Sequence, residues 1–198
     1  MAGFKFQKAV QVLNYLAIKE GGTINKMKAL KLFWLSDRYH LRRHARTIVD
    51  DTYFAMKWGP VASGVKDLAE ANNLFLDDDL IAYRNSFIFA IDQYKYKSVG
   101  AFDEDSISET DKEALDQVYQ YYGKQKQFEL SDISHSFPEW YRFEGQINKW
   151  NSRFEMYFSD FFKKPKGNFP LFDESEELVK INSEIFSENS LLSGMPVV

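Results

Sequence analysis

The stretch DRYHLRRHAR, at positions 37–46, brings several ionisable side chains close together in the chain. Asp37, His40 and His44 are spaced i, i+3, i+7, so on a helix all three could share a face. Carboxylate and imidazole are suitable ligands for a transition metal. The alternative is structural: Asp37 pairs with a neighbouring arginine and His40 bonds to a backbone group. Because Asp37 continues an apolar helical line, we favour a buried carboxylate with a partner and expect no metal site.

A second stretch, SHSFPEW at positions 134–140, contains the residue types of a hydrolase. A base, an acid and two hydroxyls are supplied by His135, Glu139, Ser134 and Ser136. Neighbours in sequence do not make a catalytic triad, and the chain has no GxSxG, HExxH, P-loop or GxGxxG motif. We favour a structural turn in which Pro138 fixes the backbone while Phe137 and Trp140 fill the core. The prediction is therefore a protein without enzymatic activity, catalytic residues or cofactor.

The formal net charge of the 198-residue chain is −4, and the charge is unevenly distributed. Residues 25–46 carry seven basic side chains against Asp37 alone, whereas residues 173–198 carry six acidic side chains against Lys180 alone. Either the two segments pair with each other or each faces a different partner. Cysteine is absent, which excludes disulfides, Cys-ligated zinc and thiol catalysis. With neither a signal core nor an apolar run of about 20 residues, we expect a cytoplasmic protein without membrane contact.

Helical spacing of apolar residues predicts most of the fold. Helices are expected over residues 4–20, from about 25 to 45, from Pro60 to about 72, after a capping box formed by Thr110 and Glu113, after a Ser131 cap, and from Asp173 onward. In the last of these helices, Leu178, Ile181 and Ile185 share one side, so that the helix could pack by this stripe onto the body or act as a partner-binding arm.

Period-2 patterns predict a smaller β component. In DDTYFAMKWGPV, residues 52–58 alternate in the manner of a strand, which Gly59 and Pro60 should stop. Residues 74–97 are expected to form short strands in an antiparallel hairpin or wing. The fold class is therefore predicted as α+β, mostly helical, in a single domain with a small antiparallel sheet. We expect the domain to cover residues 1–172, followed by an acidic C-terminal helix and tail over 173–198.

The basic cluster raises a nucleic-acid alternative. Lys31, Arg38 and Arg42 lie on one helical side, where they could contact phosphates. Two helices followed by a wing is also the broad layout of a winged-helix DNA reader. The acidic balance elsewhere disfavours a dedicated nucleic-acid binder. A DNA-binding regulator that uses the basic helix 26–46 remains the alternative prediction.

The segment KALKLFWLSDRYHLRRHARTIVDDTYFAMKWGPVASGVKDL resembles the Panacea, or SocA-like, antitoxin domain family. A second family landmark is similar to the stretch from His135 to Trp140, so the resemblance spans residues 26–140. It implies an antitoxin that neutralises a cognate toxin by direct protein contact. For some members it also implies an adaptor role toward an ATP-dependent protease.

The resemblance also implies roles for individual residues. Its motif positions, which we predict to be structural, are Asp37, Tyr39, His40, Tyr53, Lys57, Gly59, Pro60, His135, Pro138 and Trp140. A direct inhibitor needs a stable scaffold and aromatic or arginine hot spots. The predicted partner-binding residues are Arg38, Arg42, Arg43, Arg46 and Trp58.

Overall fold

The computed structural model describes residues 3–73 and 76–193, which form an α+β fold that is mostly helical. The helices are α1 Phe6–Lys19, α2 Lys26–His44, α3 Ser63–Glu70, α4 Asp78–Phe87, α5 Glu109–Tyr122, α6 Gln127–Ser134, α7 Pro138–Tyr141, α8 Phe158–Phe161 and α9 Glu176–Ser193. The strands are β1 Thr23–Asn25, β2 Tyr53–Met56, β3 Gly59–Ala62, β4 Ile88–Ala90, β5 Lys95–Ser98 and β6 Arg153–Glu155. They form two antiparallel three-stranded sheets, in the orders β1-β5-β4 and β3-β2-β6. No helix in these two ranges has the length and apolar character needed to span a bilayer.

Helix α2 is the central element of the molecule, and α1, α5, α6 and α9 all pack against it. The side chain of Asn25 caps the helix by accepting a hydrogen bond of 3.1 Å from the Lys28 amide. The helix ends where Ala45 adopts a left-handed conformation with φ of 51°. Almost all of α2 is buried, including its basic residues as far as Arg42. Its burial on all sides makes α2 a core helix.

Strand β2 confirms the predicted strand, but the chain then turns back instead of entering a helix. Strand β3 pairs antiparallel with β2, with Met56 opposite Gly59, so Lys57 and Trp58 form a two-residue hairpin turn. The predicted helix start at Pro60 is wrong, since α3 begins at Ser63. A proline is tolerated here because β3 is an edge strand.

The position at which α3 begins is fixed by Asp51, at the other end of the hairpin. Its carboxylate accepts hydrogen bonds of 2.9 and 2.8 Å from the amides of Gly64 and Val65. These amides belong to the first turn of the helix and have no acceptor within it. Burial raises the pKa of Asp51 to about 6, although the backbone amides oppose this effect.

The segment after α3 is only partly as predicted. The hairpin of β4 and β5 confirms the antiparallel wing, and β1 extends it by a third strand that was not predicted. Residues 78–87 form α4 rather than a strand, while positions 74 and 75 lie outside the described residues. Asp77 caps α4 by accepting a hydrogen bond from the Leu80 amide at 2.9 Å. The run of aspartates therefore begins a helix, where negative charge is favourable.

Two predicted helix caps are wrong, and one of the two alternatives for the C-terminal helix is not observed. The capping box at the start of α5 pairs Ser108 with Asp111 instead of using Thr110. Ser131 lies inside α6 and does not cap it. In α9, the stripe of Leu178, Ile181 and Ile185, whose packing onto the body was one of two alternatives, is 39–46% exposed. A different face packs instead, with Phe186 in ring contact with Phe158 and Phe162 at 5.3 and 6.0 Å.

Candidate partner-binding groove

A groove of about 720 Å³ opens beside the turn between β2 and β3. It lies between this turn, the first residues of α2, the tip of the wing and the first residues of α6. Its apolar lining, which we call the aromatic groove, consists of Met27, Leu30, Met56, Trp58, Val61, Tyr94 and Phe128. Its volume falls in the range of typical ligand pockets, so it can take a few large side chains.

Three large aromatic side chains of the groove are accessible. Trp58 is 48% exposed, Phe128 54% and Tyr94 62%. The rings of Trp58 and Phe128 meet edge to face, with centroids 5.7 Å apart. Exposed aromatic residues that line a concave surface are typical of protein-binding hot spots.

The groove is also positively charged, on a protein whose formal net charge is −4. The groove is lined by one acid, Glu70, and by five lysines: Lys26, Lys31, Lys57, Lys66 and Lys95. Glu70 is already paired with Lys66 at 2.5 Å. The ammonium group of Lys57 lies 5.0 Å from the ring centroid of Trp58, at the tip of the hairpin. Positive charge therefore accompanies the exposed aromatic surface.

Three side chains from other elements hold the hairpin turn by its backbone carbonyls. The indole Nε1 of Trp140 donates to the carbonyl of Met56 at 2.8 Å. The hydroxyl of Ser131 donates to the carbonyl of Trp58 at 3.0 Å. The ammonium of Lys31 donates to the carbonyl of Pro60 at 2.6 Å. The turn that carries Trp58 is thus fixed from α2, α6 and α7.

Gly59 is required by the backbone of this turn. Its φ is +95°, and a Cβ atom there would lie 2.1 Å from the hydroxyl oxygen of Ser134. His135 stacks on Trp140 with ring centroids 3.7 Å apart, and Pro138 occupies the first turn of α7. Residues from both predicted motif blocks therefore meet at the hairpin.

Lys31 forms part of the groove floor, where it is almost fully buried. Burial lowers the pKa of its ammonium to about 7, and its hydrogen-bond acceptor is the Pro60 carbonyl. Lys57, a motif residue that we predict to be structural, is exposed at the turn.

Asp37 and His40 belong to buried hydrogen-bond networks. The Asp37 carboxylate accepts from the Tyr53 hydroxyl at 2.7 Å and from the Ile48 amide. The predicted arginine partner is therefore wrong, because a phenol and an amide take its place. Burial raises the pKa of Asp37 to about 7.

The backbone bond predicted for His40 is confirmed, since one ring nitrogen lies 2.9 Å from the Arg46 carbonyl. The other ring nitrogen lies 3.0 Å from the Thr110 hydroxyl, and burial lowers the pKa of the imidazole to about 4. In the part of the chain that the structure describes, no three His, Asp or Glu side chains gather as a metal site.

The predicted arginine contacts lie in two environments. Arg38 and Arg42 are fully buried, and their guanidinium groups pair with Glu139 at 2.9 Å and with Glu174 at 3.0 Å. A contact between a partner and either arginine would require the surrounding chain to open. Glu139, considered above as a catalytic acid, is the ion-pair partner of Arg38.

The other two arginines are partly exposed. Arg43 lies over the Tyr39 ring, with its guanidinium carbon 3.8 Å from the centroid, and Arg46 pairs with Asp111 at 3.0 Å. Of the five predicted interface residues, Trp58 is the one that the structure places in the groove. Phe128 and Tyr94 were not predicted, because they reach the groove from distant parts of the chain.

The comparisons with known proteins identify the family. The family model described as "Antitoxin SocA-like, Panacea domain" matches residues 30–141, more than half of the chain. No curated protein and no solved structure matches the chain. The matched span contains Trp58, Phe128 and Tyr94, together with the side chains that hold the hairpin turn. The chain belongs to the SocA-like Panacea antitoxin domain family.

Proposed function

We propose that this protein is an antitoxin that neutralises a cognate toxin by direct binding, and that the aromatic groove is its contact surface. The observation that carries the proposal is the exposed pair of Trp58 and Phe128 within the span that matches the family. Neutralisation by binding requires neither a catalytic group nor a cofactor.

The way in which the turn is held supports this role. Ordering a mobile loop at an interface costs free energy, so a contact residue on a fixed turn binds more tightly than one on a loose loop. Trp58 is presented by a hairpin whose backbone is hydrogen-bonded to three other elements. Tryptophan is also among the residue types most enriched at interface hot spots.

The proposal is tested by co-expression with the product of the neighbouring gene. Wild-type protein should restore growth to cells that express this product and should co-purify with it. The double variant W58A/F128A should lose both effects, with Kd raised at least ~30-fold, since a hot spot contributes about 2 kcal/mol or more. The matched control is Y121A, which removes an aromatic residue of similar exposure, 49%, from α5. Absence of both rescue and complex with the wild-type protein would refute the proposed function.

The toxin level distinguishes two modes of neutralisation. Direct inhibition leaves the toxin level unchanged in rescued cells, because the toxin persists in the complex. An adaptor toward an ATP-dependent protease would lower that level, and deletion of the protease would restore it. We propose the direct mode, and quantitative immunoblotting of the toxin in both strains tests it.

The DNA-binding alternative finds little support in the position of the basic helix. Arg38, Arg42 and Lys31 lie inside the protein, so the predicted phosphate-contacting side of α2 is not on the surface. A recognition helix must present one face to the groove of a duplex. We therefore do not propose a regulator that reads DNA through residues 26–46.

A further inference from the structure

The chemistry of the aromatic groove constrains the partner that it can accept. Lys57 and Lys95, which line the groove from the hairpin turn and from the wing, are both exposed. In the described part of the chain, neither lysine forms an ion pair with a carboxylate. Nearby, Asp92 accepts hydrogen bonds from the backbone amides of Tyr94 and Lys95. The two ammonium groups therefore have no bonded carboxylate partner, although the charge of Lys95 also acts on the nearby Asp92 carboxylate.

The floor between these lysines is apolar and adaptable. Met27 and Met56 contribute flexible thioether side chains, and Leu30 and Val61 complete an aliphatic base. Methionine-rich surfaces can repack around side chains of different shape. A segment that fills this groove must supply one or two large apolar side chains.

We propose that the groove receives an acidic segment of the toxin that carries a large apolar anchor residue, an inference that rests on the proposed antitoxin function. The anchor packs among Trp58, Phe128 and Tyr94. Carboxylates on either side of it meet Lys57 and Lys95. Such charge complementarity accelerates association and selects acidic partners over basic ones.

Single-stranded nucleic acid is the competing occupant, since it also binds lysines and aromatic side chains. Two features favour a protein segment. The Trp58 and Phe128 rings meet edge to face instead of forming parallel platforms for successive bases. The base of the groove is aliphatic, which suits an apolar side chain better than a nucleotide.

Charge reversal at the two exposed lysines tests the inference. Purified product of the neighbouring gene is titrated against wild-type protein, K57E/K95E and the control K112E/K180E, at low and high salt. The control makes the same change in net charge on α5 and α9, outside the groove. We expect K57E/K95E to raise Kd at least ~10-fold, mainly through a slower association rate, and the control to stay within about twofold. Circular dichroism melts verify that every variant is folded.

The outcomes separate this inference from the proposed function. If wild-type protein binds the toxin and K57E/K95E binds equally well, the inference is overturned and the proposed function stands. If wild-type protein neither binds nor neutralises the toxin, both fail. A fluorescent single-stranded oligonucleotide is titrated in parallel. Groove-dependent binding of this oligonucleotide, with toxin binding unaffected by K57E/K95E, would assign the groove to nucleic acid.

Cross-linking provides a direct readout of the occupant. A photoreactive benzoyl-phenylalanine at position 94 is irradiated in the complex with the toxin, and the cross-linked peptide is identified by mass spectrometry. We expect a net-negative peptide that contains a large apolar residue. A basic peptide at this position would contradict the inference.

Discussion

The guanidinium group of Arg42 donates two hydrogen bonds of 3.0 Å to one carboxylate oxygen of Glu174, although the residues are 132 positions apart. Both side chains are buried, and Glu174 also pairs with Arg43. In addition, the side-chain amide of Asn182 donates a hydrogen bond of 2.8 Å to the backbone carbonyl of Arg42. The basic and acidic segments of the sequence thus meet within one molecule. This contact fastens the acidic C-terminal arm to α2.

Removing the charge of Glu174 should destabilise the fold. E174Q leaves the Arg42 guanidinium buried without a counter-charge, which typically costs about 3–5 kcal/mol. E177Q alters an exposed glutamate three residues along and should change stability by less than about 0.5 kcal/mol. Urea unfolding followed by circular dichroism measures both values. Equal stabilities of the two variants would show that the buried pair does not hold the arm.

Replacement of Trp140 should loosen the hairpin. W140F retains an aromatic ring against His135 but removes the donor to the Met56 carbonyl, at a cost of about 1–3 kcal/mol. W150F is the control, because Trp150 is 90% exposed. Thermal unfolding compares the two variants. A loss in W140F no larger than that in W150F would contradict the role given to the indole hydrogen bond.

Alanine in place of Gly59 should be more harmful than at other glycines. G59A combines a left-handed φ with a clash against Ser134, whereas Gly21 has φ of +87° and free space around the site of a Cβ atom. Gly145 has neither a positive φ nor a neighbour. We expect the loss of stability to rise from G145A to G21A to G59A, with the backbone strain alone costing about 1–3 kcal/mol. Chemical denaturation establishes the order, and equal losses in G59A and G21A would rule out the clash.

The buried amine of Lys31 should make stability depend on pH. Its folded-state pKa of about 7 lies below the ordinary lysine value of 10.5. At a pH between these two values, the unfolded chain binds a proton at Lys31 that the folded protein lacks. Wild-type stability relative to K31M should therefore rise as the pH increases from about 7 toward 10, and this gain is lost as the pH falls back to 7. Unfolding curves at several pH values measure the difference, with K112M as the control. A difference that does not vary with pH would exclude a neutral buried amine.

Local features of the fold were predictable because their signals are local. The helix that begins near residue 25 was predicted from adjacent residues, as were strand β2 and the wing hairpin. The helix start predicted at Pro60 is wrong because proline is common at helix starts, whereas the local sequence does not show that Asp51 accepts from the amides of Gly64 and Val65. The decisive contact there is tertiary.

Long-range partners explain the other differences. Arg38 and Arg42 were predicted at an interface because arginine is a common hot-spot residue. They are buried because Glu139 and Glu174, 101 and 132 residues away, supply compensating charges. The aromatic groove was likewise beyond local pattern analysis, since Phe128 and Tyr94 join Trp58 only in the folded chain.

The position of α9 illustrates how tertiary contacts can override an apolar pattern. Leu178, Ile181 and Ile185 have the spacing of a packing face, yet they point to solvent. The hydrogen bond from Asn182 to Arg42 and the ring contacts of Phe186 orient a different face toward the body. Helical spacing identified an apolar side of this helix but not the direction in which it faces.

The three bonds that hold the hairpin turn all end on carbonyl oxygens, which every amino acid possesses. The side chains at positions 57 and 58 are therefore not needed to keep the turn in place. New residues at these two positions would retain the same backbone fastening and the same direction of projection. Recognition at the hairpin tip can consequently diverge from one protein to another while the fold beneath it stays constant.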